Sequence, residues 1–210
     1  MKILVFGGGS DIAKEIQVVE KNTVLIAHDA CDITQPEAVA SFISRYKPEV
    51  VINCAGTLKT ELIAKQKFSD WKDQINSNLV GSFNVAQASV THGVKTVILI
   101  GSAAGLYGKA RVSAYSASKA GVISLTQSLG MEGIDAYCIS PGGVDTKMRE
   151  AYYPGENKKL RLSTIDVVKV IFNCIQGKYE PGDNIIIRKR GYRKIIRVDK
   201  GQPWKEYFRI

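Results

Sequence analysis

Six short apolar runs punctuate the chain: KILVF (2–6), TVLIA (23–27), VVINC (50–54), VKTVILI (94–100), AYCIS (136–140) and NIIIR (184–188). Each is continuous rather than alternating, the pattern of parallel strands buried on both faces. Helical signals fall between them. TQPE (34–37) offers Thr34 as an N-cap, Pro36 at the second helical position and Glu37 at N3, opening AVASFISRY. Alternating strands and helices predict an α/β fold, a doubly wound parallel sheet of the Rossmann type in a single domain. No repeat, low-complexity tract or linker divides the chain. The expected catalytic domain spans 1–183, with 184–210 as its last strand and basic C-terminal extension.

Composition changes this picture little: 210 residues, 45% hydrophobic and 23% charged, suit one globular domain with a buried core. No window reaches the roughly 18 apolar residues of a spanning helix, so a cytoplasmic location is expected and a membrane is not. Cys31, Cys54, Cys138 and Cys174 are widely spaced among apolar or small neighbours, as reduced core thiols are. With only two histidines, His28 and His92, no metal site is expected.

Charge changes it more. The net charge is +9, and residues 185–210 hold nine Lys/Arg against two acids. IIIRKRGYRKIIRV predicts two strands about a charged turn at Gly191, a basic hairpin at the sheet edge. It reads as an arm docking on a second subunit, ahead of a solubilising edge. Nucleic acid ranks last, because no accompanying motif supports it.

Two stretches carry candidate chemistry. GGGSDIAKEI (7–16) follows the first strand and enters a helix, the arrangement whose backbone N–H groups and dipole cradle a pyrophosphate. In AYSASKAGVI (114–123), Tyr115 and Lys119 stand four apart on one helical face. Such a pair is either simply solvated or a tyrosine whose pKa a cation lowers toward a working acid or base.

The ordered series GGGSDIA, CDIT (31–34), NCAG (53–56), NSNLVGSF (76–83), IGSAAG (100–105), YSASK (115–119) and PGGVDT (141–146) resembles the classical short-chain dehydrogenase/reductase family. The resemblance covers 1–146 and implies an NAD(P)-dependent oxidoreductase interconverting an alcohol and a carbonyl. It implies that Tyr115 is the acid/base and that Lys119 lowers its pKa and holds the nicotinamide ribose. Ser102 would bond the reacting oxygen, and Asn78 would hold the water of a proton relay. For the cofactor it implies Gly7, Ser10, Asp11 and Ile12 at the pyrophosphate, Asp32 and Ile33 at the adenine, and Asn53, Ala55 and Gly56 along the adenosine. Pro141, Gly142, Val144 and Thr146 would hold the carboxamide. Family members usually pair through two long helices, so a homodimer or homotetramer is expected. A carbohydrate or nucleotide-sugar oxidoreductase and a non-catalytic dinucleotide sensor or scaffold stay open beside this reading.

The chain departs from the family after its second strand, in the segment over the substrate and in the basic C-terminal segment. TVLIAHDACDIT leaves no room for the usual helix after the second strand, so one surface helix is missing. Asp29 is the acid left to meet an adenosine ribose, which favours NAD over NADP, although His28 or Lys14 offers a cation to a phosphate. KMREAYYPGENKKLRL (147–162) stands where the family covers its substrate, with five Lys/Arg against two Glu. A solvated helix surface is the first reading of it, and a cap for an anionic substrate the second.

Overall fold

The computed structural model describes residues 1–189 and, as backbone, 193–196. The apolar runs form strands β1 (Ile3–Phe6), β2 (Val24–Ile26), β3 (Val50–Asn53), β4 (Thr96–Ile100), β5 (Ala136–Pro141) and β6 (Asn184–Ile187). They pair in parallel in the order β2-β1-β3-β4-β5-β6. The helices are α1 (Asp11–Val19), α2 (Pro36–Tyr46), α3 (Phe68–Ile75), α4 (Gly81–Thr91), α5 (Ser113–Met131), α6 (Lys147–Tyr152) and α7 (Thr164–Ile175).

Both faces of the sheet are covered, which is why the strands show no hydropathy alternation. Ile3, Val5, Ile52, Ile98, Ile139 and Ile185 point to one face and pack with Ala13 and Ile16 of α1 and Val167 and Ile171 of α7. Their neighbours Leu4, Phe6, Val51, Leu99 and Cys138 point to the other, against Val39 and Ile43 of α2, Val85 of α4 and Val122 of α5. Burying one such side chain contributes about 1.5–3 kcal/mol, so the two layers supply most of the driving force. All four cysteines are free, and Cys31, Cys138 and Cys174 are buried. Among the described residues no helix is long and apolar enough to cross a membrane.

Three details refine the expectations. As foreseen, residues 27–35 hold no helix between β2 and α2. The loss goes further, because β2 is itself the sheet edge. A full two-half Rossmann sheet runs 3-2-1-4-5-6, so its outermost strand is missing too. The order still reverses beside β1, leaving a crevice at the carboxyl ends of β1 and β3.

The α2 cap differs from expectation. Gln35 is the N-cap, without a side-chain bond, and Pro36 takes the first helical position. Thr34 instead donates its hydroxyl to Asp32 Oδ1 at 2.9 Å. At the other edge, β7 (Arg193–Ile196) pairs antiparallel with β6, Ile185 opposite Ile195, giving the two strands of the basic hairpin. Its turn at 190–192, and Trp204, Tyr207 and Phe208 beyond, lie outside the described residues.

Candidate active site

The crevice holds a cavity of about 970 Å³, large for a ligand site. Its floor begins where β1 turns into α1. Gly7 sits at φ +76°, and a Cβ there would come within 2.3 Å of Ala55 N, so a glycine is required on both counts. Gly9 has nothing within 4 Å of its Cβ position and faces the cavity, beside Ser10, Asp11 and Ile12. Ser10 caps α1, its hydroxyl accepting from Ala13 N at 3.2 Å. This open backbone at a helix N-terminus fits a dinucleotide pyrophosphate. Asp11 is committed elsewhere, its carboxylate accepting the Lys147 N–H at 2.7 Å and tying the loop to α6.

On the far side, α5 brings Tyr115 and Lys119 into the same cavity as Ser102 at the end of β4. Lys119 is buried, and its Nζ donates to Ile100 O at 2.7 Å while lying 5.7 Å from the Tyr115 ring centroid. Burial lowers its pKa to about 8. Burial likewise holds the Tyr115 phenol above its usual range, offset by a hydrogen bond with Ser102 and by the charge of Arg149. The expected lowering by Lys119 is thus replaced by a net rise, because burial outweighs the Ser102 hydrogen bond and the Arg149 charge, while the Lys119 ammonium is bonded to Ile100 O.

Asn78 lies in a single π-helical turn (Asn76–Val80) between α3 and α4, a feature frequent at functional sites. Its amide is fully committed. Oδ1 accepts from Thr57 N at 2.7 Å, and Nδ2 donates to Thr57 O at 2.9 Å and Ser118 Oγ at 3.2 Å. Asn78 therefore clamps the loop after β3 onto α5 from behind the cavity wall. Gly56 fills the gap, since a Cβ there would stand 3.0 Å from Asn78 Oδ1 and 3.5 Å from Lys119 Nζ.

Of the remaining sequence-derived residues, Ala55, Gly56, Pro141, Gly142, Val144 and Thr146 line the cavity. Five do not appear on its wall. Asn53 and Asn78 hold loops, Asn53 by accepting from Ala55 N and donating to Ser82 Oγ, each at 3.0 Å. Ile33 is buried against Gly81 of α4. Asp32 accepts from Thr34 N, which together with the Thr34 hydroxyl keeps its carboxyl below the usual range despite partial burial. Asp29 bonds Ala30 N at 3.1 Å, and its neighbour His28 lines the cavity instead. The reason for preferring NAD therefore falls away, because the carboxylate it rests on is turned onto its own loop.

The segment after Thr146 has the solvated surface expected of it, with no buried residue in α6, but it is tied at its base as a cap. Val144 bridges Leu162 in parallel, with Leu162 N donating to Gly143 O and Asp145 N to Leu162 O, each at 2.8 Å. Arg161, only 2% exposed, bonds Asp145, Glu150 and Glu156 and the carbonyls of Tyr153 and Glu156. Arg149 forks onto Glu156, lies 3.9 Å from the Tyr153 ring centroid and packs within 3.4 Å of a Cβ built on Gly143. Sequence reasoning missed Arg149, Tyr153, Tyr107 and Arg188 as cavity residues. The spacing of Arg149 and Tyr153, one helical turn apart, was the available signal.

The model of the short chain dehydrogenase family matches residues 4–157. The chain belongs to the short-chain dehydrogenase family. The 3-oxoacyl-[acyl-carrier-protein] reductase FabG of Thermotoga maritima is 33% identical over 138 residues, 61% of this chain and 56% of the relative. The (3R)-3-hydroxyacyl-CoA dehydrogenase of Homo sapiens is 39% identical over 123 residues, 54% of this chain and 47% of the relative. The chain thus spans about half the length of these curated relatives. Among solved short-chain dehydrogenase-like folds, the aldohexose dehydrogenase of Thermoplasma acidophilum superposes with a TM-score of 0.76 at 18% identity, covering 89% of this chain and 91% of that one. ElxO with NADP bound gives 0.75 at 20%, covering 89% and 96%. These confirm the fold.

Proposed function

We propose that the chain is a nicotinamide-dinucleotide-dependent oxidoreductase interconverting an alcohol and a carbonyl. The observation that carries this is the convergence of Tyr115, Ser102 and Lys119 on one cavity whose opposite end is the Gly7–Ile12 cradle. When bound, the dinucleotide supplies the hydride to the carbonyl carbon or accepts it in reverse. Tyr115 delivers the proton that the resulting alkoxide oxygen takes up, and Ser102 donates a hydrogen bond to that oxygen as its charge grows. Lys119, once its Nζ turns from Ile100 O, is placed to hold ribose hydroxyls and to favour the phenolate left after proton transfer. Asn78 fixes the loop after β3 on which Gly56 makes room for it.

Both NAD and NADP fit this reading, since Asp29 does not reach the cavity and ElxO was solved with NADP. The test is oxidation of NADH and NADPH against a panel of ketones, aldehydes and 3-oxoacyl thioesters, with Tyr115→Phe as control. Turnover lost in the variant supports the assignment. Dinucleotide binding with no turnover on any compound supports a sensor instead.

A further inference from the structure

Some of the cavity's charges are paired and others are left open. In the cap, Arg149 is paired with Glu156, Arg161 with three carboxylates and Lys158 with Glu150. Arg188, directly after β6, and Tyr107 and Lys109, in the loop after β4, also line the cavity. Among the described residues, no carboxylate stands at ion-pair distance from Arg188 or Lys109. Arg188 is nevertheless held in place. Its Nη2 donates to the Tyr107 hydroxyl, its guanidinium lies 5.4 Å from that ring's centroid, and its Cγ stands 3.5 Å from a Cβ built on Gly142.

We propose that the substrate carries an anionic group, a carboxylate or a phosphate, bound by Arg188 with Tyr107 and Lys109 beside it. This rests on the oxidoreductase reading and names its substrate class. A guanidinium with an uncommitted edge, positioned by a ring and a hydroxyl, matches the two oxygens of either anion. Because Arg149 and Arg161 are held by carboxylates of the cap, they add little attraction of their own. Arg188, Lys109, Lys147 and Lys189 on the cavity wall have no carboxylate at ion-pair distance among the described residues, and of these Arg188 alone is a guanidinium. Gly142, beside which Arg188 packs, lines the same cavity as Tyr115, so one ligand can offer its carbonyl to Tyr115 and its anionic group to Arg188.

Matched ketones differing in charge test this with NADH and with NADPH as reductant: acetoacetate against methyl acetoacetate, and dihydroxyacetone phosphate against dihydroxyacetone. The expected result is a kcat/KM at least tenfold higher for the charged member of one pair, a ratio that collapses in Arg188→Gln and is largely kept in Arg188→Lys. The pair that shows it identifies carboxylate or phosphate. A general structural defect lowers both members and leaves the ratio, which overturns the proposal, as does equal turnover by the wild type. If no ketone is turned over, the oxidoreductase reading fails separately. Calorimetric titration of the full chain with malonate and inorganic phosphate then decides: binding weakened tenfold in Arg188→Gln upholds the anion site, and equal binding overturns it.

Discussion

Lys119 donates its ammonium to the carbonyl of Ile100 at 2.7 Å, a buried side chain held, among the described residues, by a neutral acceptor. Its folded pKa of about 8 lies below the unfolded value of 10.5, so between those values the unfolded chain binds more protons and stability rises with pH. The penalty present below pH 8 is on the order of 3 kcal/mol. Lys119→Met is expected to raise Tm at pH 7 and to lose most of that advantage at pH 10, while weakening dinucleotide binding. A Tm difference that does not change with pH contradicts the burial argument.

Tyr115→Phe removes one hydroxyl from a site that Ser102 and Lys119 still surround. Turnover is expected to fall by at least about 100-fold with dinucleotide affinity within a few-fold of wild type. Stopped-flow reduction and fluorescence titration read the two quantities. Retained turnover assigns the acid elsewhere.

Gly7 and Gly9 separate folding from binding. Gly7→Ala forces a Cβ into Ala55 N at positive φ and is expected to cost about 2 kcal/mol or more, seen as a lowered Tm. Gly9→Ala meets nothing in the fold, so Tm should hold while dinucleotide affinity drops. If Gly9→Ala binds as tightly as wild type, the cradle lies elsewhere.

Arg161→Met leaves Asp145, Glu150 and Glu156 without their shared cation. The cap is expected to loosen, with faster tryptic cleavage at Lys158 and Lys159 and a lower Tm. Unchanged cleavage places the rigidity of the cap in the Val144–Leu162 bridge alone.

The expected self-association has a candidate surface. Val80, Phe83 and Val90 are exposed along one side of the π turn and α4. Phe83→Glu is expected to shift the sedimenting species toward the 23 kDa monomer. A wild-type chain already monomeric at micromolar concentration removes the basis for this expectation.

The six strands and the Tyr115–Lys119 face were legible because continuous apolar runs and a helical spacing of four are local signals. The cofactor cradle was legible for the same reason, as glycines followed by a capped helix. Arg161 was not: an arginine in a lysine-rich stretch reads as solvated until Asp145, sixteen residues and a chain reversal away, is brought beside it. Nor was the fate of Asp29 and Asp32, whose short side chains bond their own loops. The π turn at Asn76–Val80 is invisible to hydropathy, since it changes hydrogen-bond register without changing the apolar stripe.

The parallel bridge between Val144 and Leu162 brings the two ends of the cap together at one point on the body. What lies between them is a replaceable cassette. Its internal ion pairs travel with it, and the body adds the Asp11 carboxylate at Lys147 N. A lineage is thereby free to exchange the roof over the cavity, by recombination or by drift, while the Gly7–Ile12 turn and the Ser102, Tyr115 and Lys119 group beneath it are inherited intact.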